Sequence, residues 1–295
     1  MAQNGGQARV ILWSVPRSCT TAFAKAMSNI EGSVVYYEPF NSAVCLGPER
    51  AIVSVVEGDR QSWTDLAGAN LAYDSSVNTF AWVKERLEAE HADATLVFAK
   101  DFPYGFESRK WKFLPSGFCH TFLIRNPNKV VVSWRKCNEE YRPGGHPVDE
   151  QSMEAWHDVQ MGRDAGFKAL ADLYQHVKEN IHPNPFVMDA DDLIAEPETV
   201  MTAYCKATGI PFSRKLLHWE DNGLPMNVKW ITCRDELPFF KAKYHANAQT
   251  SRGFVKGVDL MHPPTSTPPT NPKVVEVIER CMPYYKQLYQ QRFIP

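Results

Sequence analysis

The stretch Val10–Met27, VILWSVPRSCTTAFAKAM, decides the fold. It opens on Val10-Ile11-Leu12-Trp13, an uninterrupted apolar run of the kind carried by a strand covered on both faces. Pro16, which has no N–H to give a sheet ladder, marks the end of that run. The chain then passes through Arg17-Ser18-Cys19-Thr20-Thr21 into a segment whose Ala22, Phe23, Ala26, Met27 and Ile30 recur at helical spacing. The stretch therefore reads as a strand, a polar turn and a helix. Such a turn gathers unpaired backbone N–H groups at the positive end of a helix dipole, which suits an anion. Ser18, Thr20 and Thr21 add hydroxyl donors, and the planar fork of Arg17 fits phosphate or sulfate. Taken alone, the same residues read equally well as an ordinary helix cap. The rest of the chain decides between the two.

Working outward, Ser33–Tyr37 is a second β-run, closed by Glu38 and Pro39. A third, Ala94–Ala99, ends in Lys100; a fourth, Phe118–Ile124, ends in Arg125, with Asn126-Pro127 opening a helix that carries Val130, Val131, Val132 and Trp134. Pro185–Met188 is a fifth short strand, and Pro197–Thr208 is a helix stopped by Gly209. The spacing also predicts a long amphipathic helix from Met153 to Val177, and a closing helix from Val274 to Phe293 that Pro283 kinks or splits. Strands alternating with helices predict an α/β fold, a doubly wound and mainly parallel sheet flanked by helices. In such sheets ligands bind outside the carboxyl ends of the strands. Four strand ends deliver Arg17, Glu38, Lys100 and Arg125 to that edge. Each alone is an ordinary solvated or salt-bridged side chain; the four together point to a site.

Composition narrows the classes. The chain has 295 residues, 44% of them apolar and 22% charged, and a formal net charge of −2, which does not indicate a broad nucleic-acid-binding surface. No run is long enough to cross a bilayer, and the opening MAQNGGQ lacks the apolar core of a signal peptide. Seven cysteines without C-x-x-C pairs fit reduced thiols better than a disulfide framework or a zinc site. The expected location is the cytoplasm, with neither membrane nor nucleic acid as partner. The histidines show no ligand spacing, and His120, inside a strand, reads as a packed residue.

The polar turn lacks the glycines and lysine of G-x-x-x-x-G-K-[ST], and no strand ends in an obvious magnesium-binding aspartate, although Asp101 is arguable. A kinase neutralises a triphosphate with a divalent metal. Transfer of a sulfuryl group involves less charge, which arginine, lysine and amide donors can hold without one.

Pro16-Arg17-Ser18-Cys19-Thr20-Thr21 resembles the P-R-S-G-T-T loop that binds the 5′-phosphosulfate in the sulfotransferase superfamily, in the arginine form of its tyrosylprotein and carbohydrate branches. Arg125-Asn126-Pro127 with Ser133, eight residues beyond Arg125, is similar to the second signature, which grips the 3′-phosphate. Asp191–Pro197 and Gly209-Ile210-Pro211-Phe212 look like the family's E-D-L-x-x-x-P helix and its G-[LI]-P segment. The likeness runs from Val10 to about Trp219. It implies a P-loop NTPase-like sulfotransferase fold in one domain, 1–295, with a core over about 8–219 and a covering segment and C-terminal helix over 220–295. It further implies 3′-phosphoadenosine 5′-phosphosulfate as co-substrate, no metal, and in-line transfer to an acceptor hydroxyl or amine. The opening residues, unlike a leader, lead us to expect a small soluble acceptor, and a homodimer is an accompanying expectation.

Residue by residue, the resemblance implies that Arg17, Ser18, Cys19, Thr20 and Thr21 cradle the donor, with Arg17 also stabilising charge on the bridging oxygen. Arg125 and Ser133 hold the 3′-phosphate, and Arg252, in the Thr250–Gly257 loop, matches a late nucleotide-binding segment. Two positions depart from the pattern. Cys19 stands where the family has glycine, and Phe102 stands where the cytosolic branch has a catalytic histidine two residues after its lysine. Glu38 matches the glutamate that serves as base in the arginine branches, and Lys100 either balances the transferring sulfuryl group or anchors Glu38. The acceptor pocket is expected from residues 42–75, from the 141–147 loop as a lid, and from the aromatic 220–260 segment, although Trp219, Trp230, Phe239 and Phe240 serve equally as core. Two other readings stand beside this one: a catalytically silent binding or interaction protein of the same fold, and a metal-dependent phosphoryl transferase with a degenerate P-loop.

Overall fold

The computed structural model describes residues 6–46, 48, 79–103, 105–106, 108–141, 164–220, 230–231, 246–254 and 271–295. The apolar run becomes β1 (Ala8–Ser14), and the polar turn feeds α1 (Thr20–Ser28). There follow β2 (Ser33–Tyr37), α2 (Pro39–Leu46), α3 (Phe80–Glu88), β3 (Leu96–Asp101), β4 (Cys119–Ile124) and α4 (Pro127–Tyr141). The second half holds α5 (Phe167–Asn180), β5 (Phe186–Asp189), α6 (Ala190–Ala195), α7 (Pro197–Thr208), β6 (Trp230–Ile231), α8 (Ala246–Thr250) and α9 (Pro272–Tyr289).

The six strands form one sheet in the order β5-β4-β1-β3-β2-β6, and every pair is parallel. Alternation along β1 splits the interior into two layers. Ile11 and Trp13 pack with α3, α5 and α9 on one face, whereas Val10 and Leu12 pack with α1, α6 and α7 on the other. Fully covered parallel strands need such continuous apolar runs, which is why β1 carries them.

The register fixes where the site lies. Trp13 stands opposite both Asp101 and Phe122, and Tyr37 opposite Lys100, so Ser14, Tyr37, Asp101 and Ile124 all reach the same edge. From β1 the chain moves across β3 to β2, then after β3 it crosses β1 to reach β4 on the other side. A crevice opens at the carboxyl edge wherever the winding reverses in this way, and here that place is beside β1.

The segment resembling E-D-L-x-x-x-P closes the molecule. Asp189 caps α6 by accepting from Asp191 N–H at 2.7 Å, and its other oxygen takes the Tyr285 hydroxyl of α9 at 3.0 Å. Asp192 pairs with Arg292 at 2.8 Å, and Gly209, at φ 75°, ends α7 in the left-handed region that favours glycine.

Three expectations need revision. The helix expected from Met153 to Val177 is interrupted: Ala165 (φ 51°) and Gly166 (φ 81°) turn the backbone, and α5 starts at Phe167. Met153, Trp156 and Gln160 lie outside the described residues. Pro283 does not split the closing helix, since α9 runs unbroken through it. Pro39 does more than stop a strand, because its fixed φ also opens α2. Of the acceptor regions, 42–46 belongs to α2, Tyr141 ends α4 and Trp230 begins β6, while Phe239, Phe240 and the lid residues 142–147 lie outside the described residues. No helix among the described residues is long and apolar enough to cross a membrane.

Candidate active site

The turn after β1 is held from both sides. Ser14 Oγ donates to the Leu123 carbonyl of β4 at 2.5 Å, which locks the end of β1 to its neighbour. Arg17 (φ 65°) and Cys19 (φ 62°, ψ 12°) then both adopt the left-handed conformation, at about 1–2 kcal/mol each for a side chain with a Cβ. Cys19 thus occupies the backbone state that a glycine reaches without cost, and its half-buried side chain packs on the layer beneath α1. Its carbonyl accepts from Phe23 N–H at 3.1 Å and opens the helix.

The second signature meets this turn directly. Arg17 Nε donates to Ser133 Oγ of α4 at 3.1 Å, and Arg125 Nη1 donates to the Arg17 carbonyl at 2.6 Å. Among the described residues, two buried donors at this place have no partner: Ser18 Oγ and Arg125 Nε. Leaving a buried donor unmade costs about 1–3 kcal/mol, so a folded chain seldom keeps one without use. One hydroxyl in the turn before α1 and one guanidinium N–H at the end of β4, both donors, fit an anionic group.

At the adjacent strand ends lies a buried ion pair. Glu38, 6% exposed, follows β2 in the left-handed region (φ 53°), and its N–H donates to the Lys100 carbonyl at 2.7 Å. Lys100 Nζ pairs with Glu38 Oε1, and Asn41 Nδ2 donates to Oε2 at 2.9 Å. Lys100, 1% exposed, also lies over the rings of Phe102 at 3.5 Å and Tyr37 at 4.8 Å. Of the two roles open to Lys100, anchoring Glu38 is the one its contacts describe. Phe102 fills the position of a family histidine with a ring against the ammonium.

Tyr37 joins the halves, because its hydroxyl shares a hydrogen bond of 2.6 Å with Thr21 Oγ1 while its ring faces Lys100. Thr20, buried, is the first residue of α1. Next to Lys100, Asp101 accepts from the N–H groups of Phe40 (2.6 Å), Asn41 (3.0 Å) and Phe102 (2.8 Å). Complete burial, with Glu38 nearby, outweighs those amide bonds and pushes its carboxyl up to about 8. His120 stands apart from this chemistry: it accepts from Trp13 Nε1 at 2.9 Å, and burial holds its imidazole down at about 3, hence neutral.

Arg252 is exposed on a segment fastened to α1. Its carbonyl accepts from Trp219 N–H at 3.1 Å, Trp219 Nε1 reaches Ser251 Oγ at 3.2 Å, and the buried Lys25 ammonium of α1 donates to the carbonyls of Gln249 (3.1 Å) and Ser251 (3.2 Å). Residues 255–257 of that loop lie outside the described residues. Tyr37 and Asn41 were not legible as site residues, and Asp101 was legible only as an arguable metal-binding aspartate. The D of Lys100-Asp101-Phe102 offered a signal, since it ends a buried strand, whereas Asn41 gains its role only through α2.

A sulfotransferase domain from the curacin biosynthetic pathway superposes on 99% of this chain and 100% of its own, with a TM-score of 0.54 at 14% identity. The chain has the sulfotransferase fold. A sulfotransferase domain from the Synechococcus PCC 7002 olefin synthase gives 0.49 at 15% identity over 94% of this chain and 96% of that one. No family model matches the sequence. The curated relatives branched-chain-amino-acid aminotransferase-like proteins 2 and 1 of Arabidopsis thaliana are each 26% identical over 205 residues, 64% of this chain. The match spans only 30% of their length, so their names describe proteins far larger than the segment they share with this sulfotransferase-like chain.

Proposed function

We propose that this chain transfers a sulfuryl group from 3′-phosphoadenosine 5′-phosphosulfate to a hydroxyl or amine of a small acceptor, in the cytoplasm and without a metal. The observation that carries the reading is a pair of buried, unpartnered donors, Ser18 Oγ on the turn after β1 and Arg125 Nε at the adjoining end of β4, with Arg125 bonded to the Arg17 carbonyl and Arg17 to Ser133. The buried Glu38–Lys100 pair at the same sheet edge supplies the second half of the chemistry.

In this reading Ser18, Thr20, Thr21 and the turn amides bind the donor's 5′ side, while Arg125 and Ser133 bind its 3′-phosphate. Ser133 Oγ accepts from Arg17, which leaves its hydroxyl hydrogen to donate to the phosphate. The acceptor oxygen or nitrogen forms its bond to sulfur as the sulfur–bridging-oxygen bond breaks, and adenosine 3′,5′-bisphosphate leaves. Glu38 takes the acceptor's proton, with Lys100 fixing its carboxylate, and Arg17 stabilises the charge that develops on the bridging oxygen. Arg252 contributes to the nucleotide from its own loop, and the whole chain acts as one domain.

The test is transfer from the radiolabelled donor to an acceptor panel, in the presence and absence of a chelator. Glu38→Gln is expected to abolish transfer while the dissociation constant for adenosine 3′,5′-bisphosphate stays within a few-fold; substantial activity in that variant refutes the base assignment. Binding of the bisphosphate with no transfer to any acceptor favours the silent binding protein, and chelator-sensitive transfer from ATP favours the phosphoryl transferase.

A further inference from the structure

We propose that Asn41 is a positioning residue that sets the orientation of the Glu38 carboxylate, an inference that rests on Glu38 acting as the base. Glu38 is the last residue before α2 and Asn41 lies in the first turn of that helix. A carboxylate accepts and never donates when ionised, so the Asn41 group facing Oε2 at 2.9 Å is the Nδ2 amide. Lys100 takes Oε1 and Asn41 takes Oε2. Two donors on different oxygens fix the plane of the carboxylate, which Lys100 alone would leave free to turn about its pair.

Asn41 stands where it does because Asp101 holds it there. The Asp101 carboxylate, fully buried on β3, accepts from the N–H groups of both Phe40 and Asn41 and so caps the first turn of α2. Glu38 itself is bound at both ends of its backbone: its N–H to Lys100, and its carbonyl to Ser42 N–H and Ser42 Oγ, each at 3.0 Å. A left-handed glutamate is a strained residue, and these bonds over-determine it. Among the described residues, the titratable groups facing the carboxylate from the packed elements are Lys100 and Asp101, both on β3; Lys100 carries the charge, since burial pushes the Asp101 carboxyl up to about 8. Asn41 is the neutral donor that completes the set.

The experiment uses full-length Asn41→Ala and Asn41→Asp. Asn41→Ala removes the donor, and Asn41→Asp keeps the shape but turns an acceptor toward Glu38. The expected kcat for sulfuryl transfer falls about tenfold in Asn41→Ala and further in Asn41→Asp, the size that one hydrogen bond to a charged group supports. The KM for the sulfated donor and the dissociation constant for adenosine 3′,5′-bisphosphate stay within about twofold. A purely scaffolding asparagine predicts the opposite rank, because aspartate is favoured in the first turn of a helix. A crystal structure of Asn41→Ala is expected to show the Glu38 carboxylate rotated, with or without turnover in the wild type. An active wild type whose Asn41→Ala variant keeps its kcat, or a Glu38 carboxylate that stays in place in the crystal, overturns the positioning role and leaves the proposed activity standing. A wild type that binds the bisphosphate and transfers nothing overturns the activity, while the crystal structure still decides the positioning.

Discussion

Separating Glu38 from Lys100 is the most direct test of how the site is built. Lys100 is 1% exposed and Glu38 6%, so removing either partner strands a charge in the interior. Breaking a buried pair by deleting one member costs about 3–5 kcal/mol, and Lys100→Met is expected at that level. Glu38→Gln costs less, because the stranded ammonium keeps the Phe102 ring at 3.5 Å and the Tyr37 ring at 4.8 Å, worth about 0.5–2 kcal/mol. The double variant Lys100→Met/Glu38→Gln holds no unpaired charge and is expected to be more stable than the sum of the two losses allows. A coupling energy of about 2 kcal/mol or more follows, within the range seen for residues in direct contact. Urea unfolding of the four proteins near neutral pH measures it. Losses that add to within about 0.5 kcal/mol refute the claim that the two charges depend on one another. The double variant also separates stability from chemistry, since it is expected to fold and to be inactive.

Other outcomes follow from the same geometry. His120 is neutral in the fold down to about pH 3, while an unfolded chain protonates it below about 6.5, so stability is lost as pH falls through that window. The loss is about 2 kcal/mol between pH 6.5 and 5, and His120→Asn, which keeps an acceptor for Trp13 Nε1 but does not titrate, is expected to flatten it in urea titrations at the two pH values. An equal slope in both proteins contradicts the assignment. At Cys19, a left-handed φ of 62° admits glycine and rejects a β-branched residue. Cys19→Gly is expected to bind adenosine 3′,5′-bisphosphate within a few-fold of wild type, and Cys19→Val to lose that binding, as read by calorimetry. Arg125→Ala removes both the brace on the Arg17 carbonyl and the buried Nε donor, and the bisphosphate dissociation constant is expected to rise about tenfold or more. Unchanged affinity speaks against Arg125 as a phosphate ligand.

Much of this was legible in residue order. The apolar runs at Val10–Trp13 and Phe118–Ile124 specify strands covered on both faces, and with that the alternation predicts a parallel sheet whose carboxyl edge carries Arg17, Glu38, Lys100 and Arg125. These are local properties: periodicity and the punctuation by Pro and Gly are written within a few residues of each element. The helix α2 was not legible, because Pro39 serves both as the stop of a strand and as the first residue of a helix. The break before α5 was written in the sequence as Gly166 but was masked by the apolar spacing that continues across it, and the left-handed turn there begins one residue earlier, at Ala165, which gives no signal of its own.

The sequence by itself determined the class of the fold, the edge at which chemistry collects and the cations that collect there. The tertiary structure alone decided the pairings: that Lys100 anchors Glu38, that Arg125 braces the carbonyl of Arg17, and that Asp101 holds α2 so that Asn41 meets the carboxylate. Partners separated by sixty or a hundred residues leave no trace in local periodicity. They meet because parallel strands in register bring their ends to one line, where burial makes each charge depend on its neighbour.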